Sequence, residues 1–233
     1  MTHNIDRRDV LAVAVGAAAA LASTGSNAQG AVAPAAKGFE PKPLGLDPKS
    51  IKGLSDKIIT SHYDNNYVGA VRRLGAINAE LAKLDFATAQ GFTVNGLKRE
   101  QLIAANSMIL HEVYFASLGA GGEPANDLAK AITNDFGSVT AWRNELAAVG
   151  KALGGGSGWV LLAYSPRLGR LVNQWAADHT MTVADGMPIL ALDMYEHAYH
   201  MDYGAKAAAY VDAFMGAINW SSVAAAYGAA SRR

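Results

Sequence analysis

The chain has no cysteine. That excludes disulfides, thiolate zinc sites, iron–sulfur clusters and cysteine nucleophiles. A bound metal would have to be held by histidine, carboxylate or backbone oxygen, donors that suit harder or borderline ions such as iron and manganese. Excess charge is missing too: 20 Lys and Arg balance 20 Asp and Glu, and no basic run occurs. A neutral chain is a poor nucleic-acid ligand, because affinity there rests on neutralising phosphates. No hydrophobic run is long enough for a good membrane span; the alanine-rich stretch from Ala12 to Ala22 is too short and too weakly apolar. Internal repeats are absent as well. What remains is a chain of 233 residues, 51% of them hydrophobic. It is long enough to bury the core of one large domain or two small ones.

The N-terminus reads as an export signal. Arg7-Arg8 precede Asp9-Val10-Leu11 and the mild apolar run, and Ser26-Asn27-Ala28 is a plausible cleavage site. A pair of arginines before such a run resembles a twin-arginine signal, and an ordinary secretory signal is the blander reading. The expectation is a signal over 1–28, a periplasmic protein, and no membrane association once the signal is removed. Residues 29–52 begin with a stretch rich in Ala, Pro, Gly and Lys and read as a flexible leader.

A helical pattern starts near Leu54, with Leu54, Ile58, Val71, Leu74, Ile77, Leu81 and Leu84 mostly on one face. Phe86 to Leu97, containing Gly91 and Asn95-Gly96, reads as a connection, and a second helix is expected from Arg99 to Leu118. These form a helical hairpin domain over 53–120. In 121–233, Asn126 to Asn134 and Val139 to Leu153 read as helices. Trp159 to Tyr164 and Leu171 to Trp175 read as strands joined by a turn, and Ile189 to Leu192 as a third strand ending in Asp193. Glu196 to Tyr203 and Ala205 to Ile218 look helical. The fold class is therefore α+β: an N-terminal helical hairpin, then an α/β domain with a small three-stranded antiparallel sheet.

Past the signal the chain holds His62, His111, His179, His197 and His200. The sharpest local feature is Asp193-Met194-Tyr195-Glu196-His197. A carboxylate and an imidazole four apart lie on one side of a helical turn, and after an apolar strand they would point inward. A buried Asp needs a metal or another cation, so a structural salt bridge explains the pair as well as a metal does. His62 and His111 each follow an apolar stretch on one arm of the hairpin. Each alone reads as a hydrogen-bonded core histidine; together they could meet Asp193 and His197 at one interface.

Leu192-Asp193-Met194-Tyr195-Glu196-His197-Ala198-Tyr199 resembles the D-x-W-E-H-A-Y signature of iron/manganese superoxide dismutases, with Tyr195 where that family usually has Trp. Gly156-Ser157-Gly158-Trp159, Gly121-Gly122-Glu123-Pro124, Phe136-Gly137-Ser138 and Asn219-Trp220 resemble further segments in matching order. Ser61-His62-Tyr63 and His111 to Phe115 resemble the first and second ligand segments. The resemblance covers roughly Leu54 to Val223. It implies one iron or manganese ion per subunit, held by His62, His111, Asp193, His197 and a solvent molecule. It implies that superoxide is the substrate, converted to dioxygen and hydrogen peroxide. It also implies a homodimer, through Glu196 of one subunit and His197 of the other.

Several positions depart from the family. Ala70 stands where a tyrosine is usual, Asn66 for a histidine, His200 for a tyrosine and Ala207 for an arginine. The outer-sphere glutamine is missing at Ser107, four residues before the second ligand. His179 is the candidate to replace it, with a surface loop histidine as the bland reading and Gln174 as the weaker candidate. These residues tune a metal from outside its ligands. They leave open a second reading, a periplasmic iron- or manganese-binding carrier or sensor with little dismutase activity. Arg72, Arg73, Lys151 and Lys206 are candidates for a positive funnel toward an anionic substrate.

Overall fold

The computed structural model of the chain describes residues 40–232. The expected signal, 1–28, and the start of the expected leader, 29–39, lie outside the described residues. The later part of that leader packs against the hairpin. A 3₁₀ turn spans Pro48–Ser50, Ile51 is buried, and Leu44 and Leu46 lie against the core.

Helix α1 (Asp56–Ser61) starts on Ser55, whose hydroxyl accepts the Ile58 N–H at 3.1 Å. It runs straight into a π-helical turn, His62–Tyr67, and then into α2 (Val68–Leu81). In that wide turn the Val68 N–H reaches back five residues to the Tyr63 carbonyl. One extra residue per turn shifts the phase of everything after it, a device concentrated at functional sites. The return arm, α3, covers Gly91–Ser117, eight residues earlier than the start expected at Arg99. Gly91, Gly96 and Asn95 look like breakers, yet a Cβ at either glycine would meet open space, and the segment lies helical on the surface. Where α2 and α3 cross, Leu74, Ile77, Leu81 and Ala104 form a small core of their own.

The second half adds α4 (Asn126–Phe136) and α5 (Val139–Ala152), parted by Gly137 at φ 85° and capped by the Ser138 hydroxyl. Three antiparallel strands follow: β1 (Trp159–Ser165), β2 (Arg170–Ala176) and β3 (Met187–Asp193), in the order β2-β1-β3. The sheet, the hairpin and the α+β class match expectation. Central β1 is covered on both faces, so Trp159 through Ala163 are all fully buried and the strand does not alternate. Pro188 is tolerated because β3 is an edge strand. After β3 come a 3₁₀ turn (Glu196–Ala198) and three helices, α6 (His200–Tyr203), α7 (Ala207–Gly216) and α8 (Trp220–Ala230). The chain end is tied to the hairpin where the Gly119 N–H donates to the Ala217 carbonyl and the Asn219 N–H to the Ser117 carbonyl, both at 2.7 Å. No helix among the described residues is long and apolar enough to cross a membrane.

Candidate metal centre

Four elements converge at the base of the hairpin. His62 opens the π-helical turn, His111 sits late on α3, Asp193 ends β3, and His197 lies in the 3₁₀ turn just after it. Asp193 and His197 therefore share no α-helical turn, contrary to expectation. The strand runs on to Asp193 because it still pairs with Trp159 across the sheet, and the chain turns only afterwards. The Tyr195 N–H closes that turn by donating to Asp193 Oδ1 at 2.8 Å.

The four ligand atoms lie within 4.8 Å of one another. Three imidazole nitrogens face a single carboxylate oxygen: His62 Nε2 and His197 Nε2 lie 3.1 Å from Asp193 Oδ2, and His111 Nε2 lies 3.6 Å away. Asp193, His62 and His111 are buried; His197 keeps 27% of its side chain exposed. Burial lowers the pKa of His62, and it lowers that of His111 to about 3, so both rings are neutral at pH 7. Burial alone would raise the Asp193 pKa. Electrostatic attraction to the neighbouring imidazoles of His197 and His62, with their hydrogen bonds to the carboxylate, outweighs it, and the carboxyl stays ionised, well below its usual range.

Whether these residues fit a metal is decided at His111. Its Nδ1 donates to the Ser107 carbonyl at 2.6 Å, which fixes the proton on that nitrogen. Nε2 is then a bare lone pair, buried and without a hydrogen-bond partner, facing a buried carboxylate. A lone pair and an anion side by side in a dry site repel unless a cation lies between them. Three imidazoles and one carboxylate, with no sulfur, suit iron or manganese. The residues fit the ion.

The surroundings hold these groups in place. Tyr210 Oη donates to the Asp193 carbonyl at 2.8 Å, anchoring the end of β3 from α7. Tyr114 lies with its ring 4.8 Å from that of His62. Neither tyrosine was singled out from the sequence; Tyr114 falls within the segment resembling the second ligand region, while Tyr210 has no local signal. Tyr195 stacks flat between His197 and His179, at 5.4 and 4.9 Å. Burial raises its phenol pKa to about 12, so it is neutral.

His179 belongs to this group rather than to a free loop. Its Nδ1 accepts the Trp159 indole N–H at 2.9 Å, and its ring is 6.3 Å from that of His111. Burial lowers its pKa, so the ring is neutral and its own proton is left on Nε2. Gln174 is occupied elsewhere: its side-chain oxygen accepts the Val183 N–H at 2.9 Å. Tyr67 points away from the histidines, accepting the Lys42 N–H and donating to Glu112. A pocket of about 280 Å³ reaches His111, His197 and His179, and Asn66, Ala70, Ser107 and Arg73 line it. Of the four basic candidates for a funnel, only Arg73 is there; Lys151 pairs with Asp212 at 2.7 Å.

Comparisons with known proteins agree with this arrangement. The sequence profile of iron/manganese superoxide dismutases, C-terminal domain, matches residues 124–226. The chain is 68% identical over 194 residues to the superoxide dismutase [Fe] of Cupriavidus metallidurans, covering 83% of this chain and 98% of that one. It is 36% identical over 193 residues to the superoxide dismutase [Fe] of Aquifex pyrophilus, covering 79% and 89%. It is 34% identical over 177 residues to superoxide dismutase [Mn] 2 of Haloferax volcanii, covering 75% and 87%. Matches of this length include the hairpin as well as the sheet, hence both sides of the histidine cluster. The chain therefore belongs to the iron/manganese superoxide dismutase family.

Proposed function

We propose that the protein disproportionates superoxide at a single iron or manganese ion held by His62, His111, Asp193 and His197. The observation that carries this is the bare, buried Nε2 of His111 facing Asp193 Oδ2 alongside two further imidazoles. These four residues would hold the ion, which when bound would supply one-electron oxidation and reduction. One superoxide gives up an electron and leaves as dioxygen; a second takes that electron and two protons and leaves as hydrogen peroxide. Asp193 supplies the one fixed negative charge among the four groups, and the neutral imidazoles of His62 and His111 add none. His111 is held in its lone-pair tautomer by Ser107 O, and Asp193 is aimed by Tyr195 N and Tyr210 Oη. His179, its Nδ1 taken by Trp159, presents Nε2 as a proton donor beside the cluster. Trp159, fully buried under His111, helps exclude water.

The test is metal content and superoxide dismutation together, on protein lacking residues 1–28 and loaded separately with iron and manganese. Rapid dismutation with either metal is expected. Full occupancy with negligible activity for both would replace this reading with a metal carrier. His111→Ala and Asp193→Ala should each lose stoichiometric metal, and full occupancy in both would remove the proposed site.

Two further readings accompany this one. Glu196 is exposed and neighbours His197, the one member of the cluster that is not buried. A second copy covering both would complete the site, as a homodimer through Glu196 and His197. Light scattering on wild type and Glu196→Ala tests it, and a monomeric wild type would end it. Export to the periplasm rests on Arg7-Arg8 and the apolar run behind them. A double change to lysine should strand the protein in the cytoplasm if the twin-arginine route is used.

A further inference from the structure

We infer that Asn106 is a positioning residue for the reaction: its side-chain amide holds the backbone of His179 against α3 and so fixes where the His179 ring stands beside the clustered residues. This rests on the reading that His179 donates a proton beside an ion held by His62, His111, Asp193 and His197. His179 lies on the link between β2 and β3, residues 177–186, which contains neither helix nor strand. None of the link residues is buried, so packing does little to fix it and hydrogen bonds must. Most of those bonds stay on the sheet side. The Val183 N–H donates to Gln174 Oε1 on β2, and the Ser165 hydroxyl, at the end of β1, donates to Asp185. Among the described residues one hydrogen bond joins the link to the helical hairpin: Asn106 Nδ2 donates to the His179 carbonyl at 2.5 Å.

The chemistry fixes the direction of that bond. A backbone carbonyl only accepts, so the amide nitrogen of Asn106 faces it and the amide oxygen is turned away. The ring of His179 is held at two further points, by the Trp159 indole N–H on Nδ1 at 2.9 Å and by the face of Tyr195 at 4.9 Å. A bond at Nδ1 alone would let the ring pivot about that atom. With the stack and the main-chain carbonyl also held, Nε2 cannot swing. The next residue on α3, Ser107, has its carbonyl on His111 Nδ1 at 2.6 Å. Two adjacent residues of one helix therefore set both imidazoles, whose rings stand 6.3 Å apart, and the spacing of metal ligand and proton donor is fixed by one stiff turn. Misplacing a reacting group by about 1 Å can cost on the order of a hundredfold in rate. Loss of the Asn106 bond frees the link for such a displacement.

The experiment is a double-mutant cycle on the iron-loaded enzyme: Asn106→Ala and His179→Ala, singly and together. It reads kcat and KM for superoxide, iron content, and hydrogen exchange of the amides in 177–186. Asn106 is only half-buried and alanine is the best helix former, so α3 tolerates the change. In Asn106→Ala we expect full iron content, kcat lowered by about tenfold and KM within about twofold of wild type. The link amides should exchange about tenfold faster, the factor that one hydrogen bond of ordinary net strength gives. In the His179→Ala background the same change should leave kcat within about twofold, because its effect runs through the ring already removed. Asn106→Asp keeps the size but sets a carboxylate against the carbonyl, and should lower kcat at least as far as alanine does. If His179→Ala is slow while Asn106→Ala keeps wild-type kcat, or leaves exchange of the link unchanged, the inference alone is overturned. An equal loss of kcat from Asn106→Ala in both backgrounds also overturns it, since the residue then acts on the fold and not through His179. Full activity in His179→Ala overturns the proton-donor reading and the inference with it.

Discussion

Burial keeps the His111 ring from taking up charge and holds its pKa down at about 3, against about 6.5 for an exposed imidazole. The unfolded chain therefore binds a proton that the native protein refuses between those two values. Stability of the metal-free protein rises with pH across that window, and is lost as pH falls from about 6.5 toward 3. The slope is at most about 1.4 kcal/mol per pH unit for each such ring. His62 acts in the same direction, since burial lowers its pKa too. Urea midpoints of the metal-free protein at pH 7 and pH 5 should differ clearly, and less so in His111→Gln. An unchanged difference in that variant would show that the ring is not held neutral. At this scale the sequence was informative. All four clustered residues were legible through the resemblance of their segments to the family's; on pattern alone His62 and His111 read as core histidines and the Asp193–His197 pair as a salt bridge. His179 was legible as a candidate only; its bond to Trp159 joins residues twenty apart at the two ends of the β1–β2 hairpin, and no spacing rule marks it. Tyr210 was invisible, since a tyrosine on an apolar helix reads as core until its hydroxyl is seen on the Asp193 carbonyl. Tyr210→Phe leaves that buried carbonyl without its partner, which costs about 1 to 3 kcal/mol. A thermal melt that does not move would refute the anchoring role.

Elements were readable where apolar spacing is clean and unreadable where the backbone departs from the standard helix. Leu74, Ile77 and Leu81 repeat at helical intervals and announce α2. Nothing in His62 to Tyr67 announces a π-helical turn, because the extra residue is stabilised by the contacts of His62 and Tyr67 rather than by local propensity. The start of α3 was placed too late because Gly91 and Asn95-Gly96 carry turn chemistry, and on an exposed helix end they weaken the helix without ending it. Helix α8 was not anticipated at all; its run of Ala, Gly and Ser carries little periodic contrast, and Asn219 caps it through the Ser222 N–H at 3.2 Å. Gly158, by contrast, is a requirement of the sheet. It has φ 133°, its carbonyl accepts the Met194 N–H at 2.9 Å, and a Cβ there would lie 2.1 Å from the Ala176 carbonyl oxygen. Both the backbone conformation and the space forbid a side chain. Gly158→Ala should cost about 3 kcal/mol or more and disturb the β1–β3 register that sets Trp159 opposite Asp193. A circular-dichroism melt within a degree of wild type would contradict this.

Over the whole molecule, the hairpin and the sheet are held together by more than the metal site. The main core runs from Ile51 through the sheet to Ala230, and residues 40–52 lie on it as a strap. The strap is fastened at Lys42, whose N–H donates to Tyr67 Oη at 2.8 Å and whose carbonyl accepts from Tyr63 Oη at 2.7 Å. Both tyrosines belong to the π-helical turn that begins with His62, so the strap braces the backbone of a clustered histidine from behind. The Lys42–Glu112 ion pair adds little, because the lysine is 72% exposed. Leu44 and Leu46 add partly buried apolar surface. Two hydrogen bonds and two half-buried leucines, less the entropy of ordering the strap, come to about 2 kcal/mol. A chain beginning at Asp47 should therefore melt roughly 4 to 8 °C below one beginning at Glu40, a shift proper to a domain of this size. The same truncation removes the Lys42 partner of both the Tyr63 and the Tyr67 hydroxyl, leaving Tyr67 only its bond to Glu112, and loosens the turn, so metal should also be released faster to a chelator. Equal melting temperatures would mean that the strap merely rests on the hairpin. A lower melting temperature with unchanged metal release would confine its role to stability and separate it from the site.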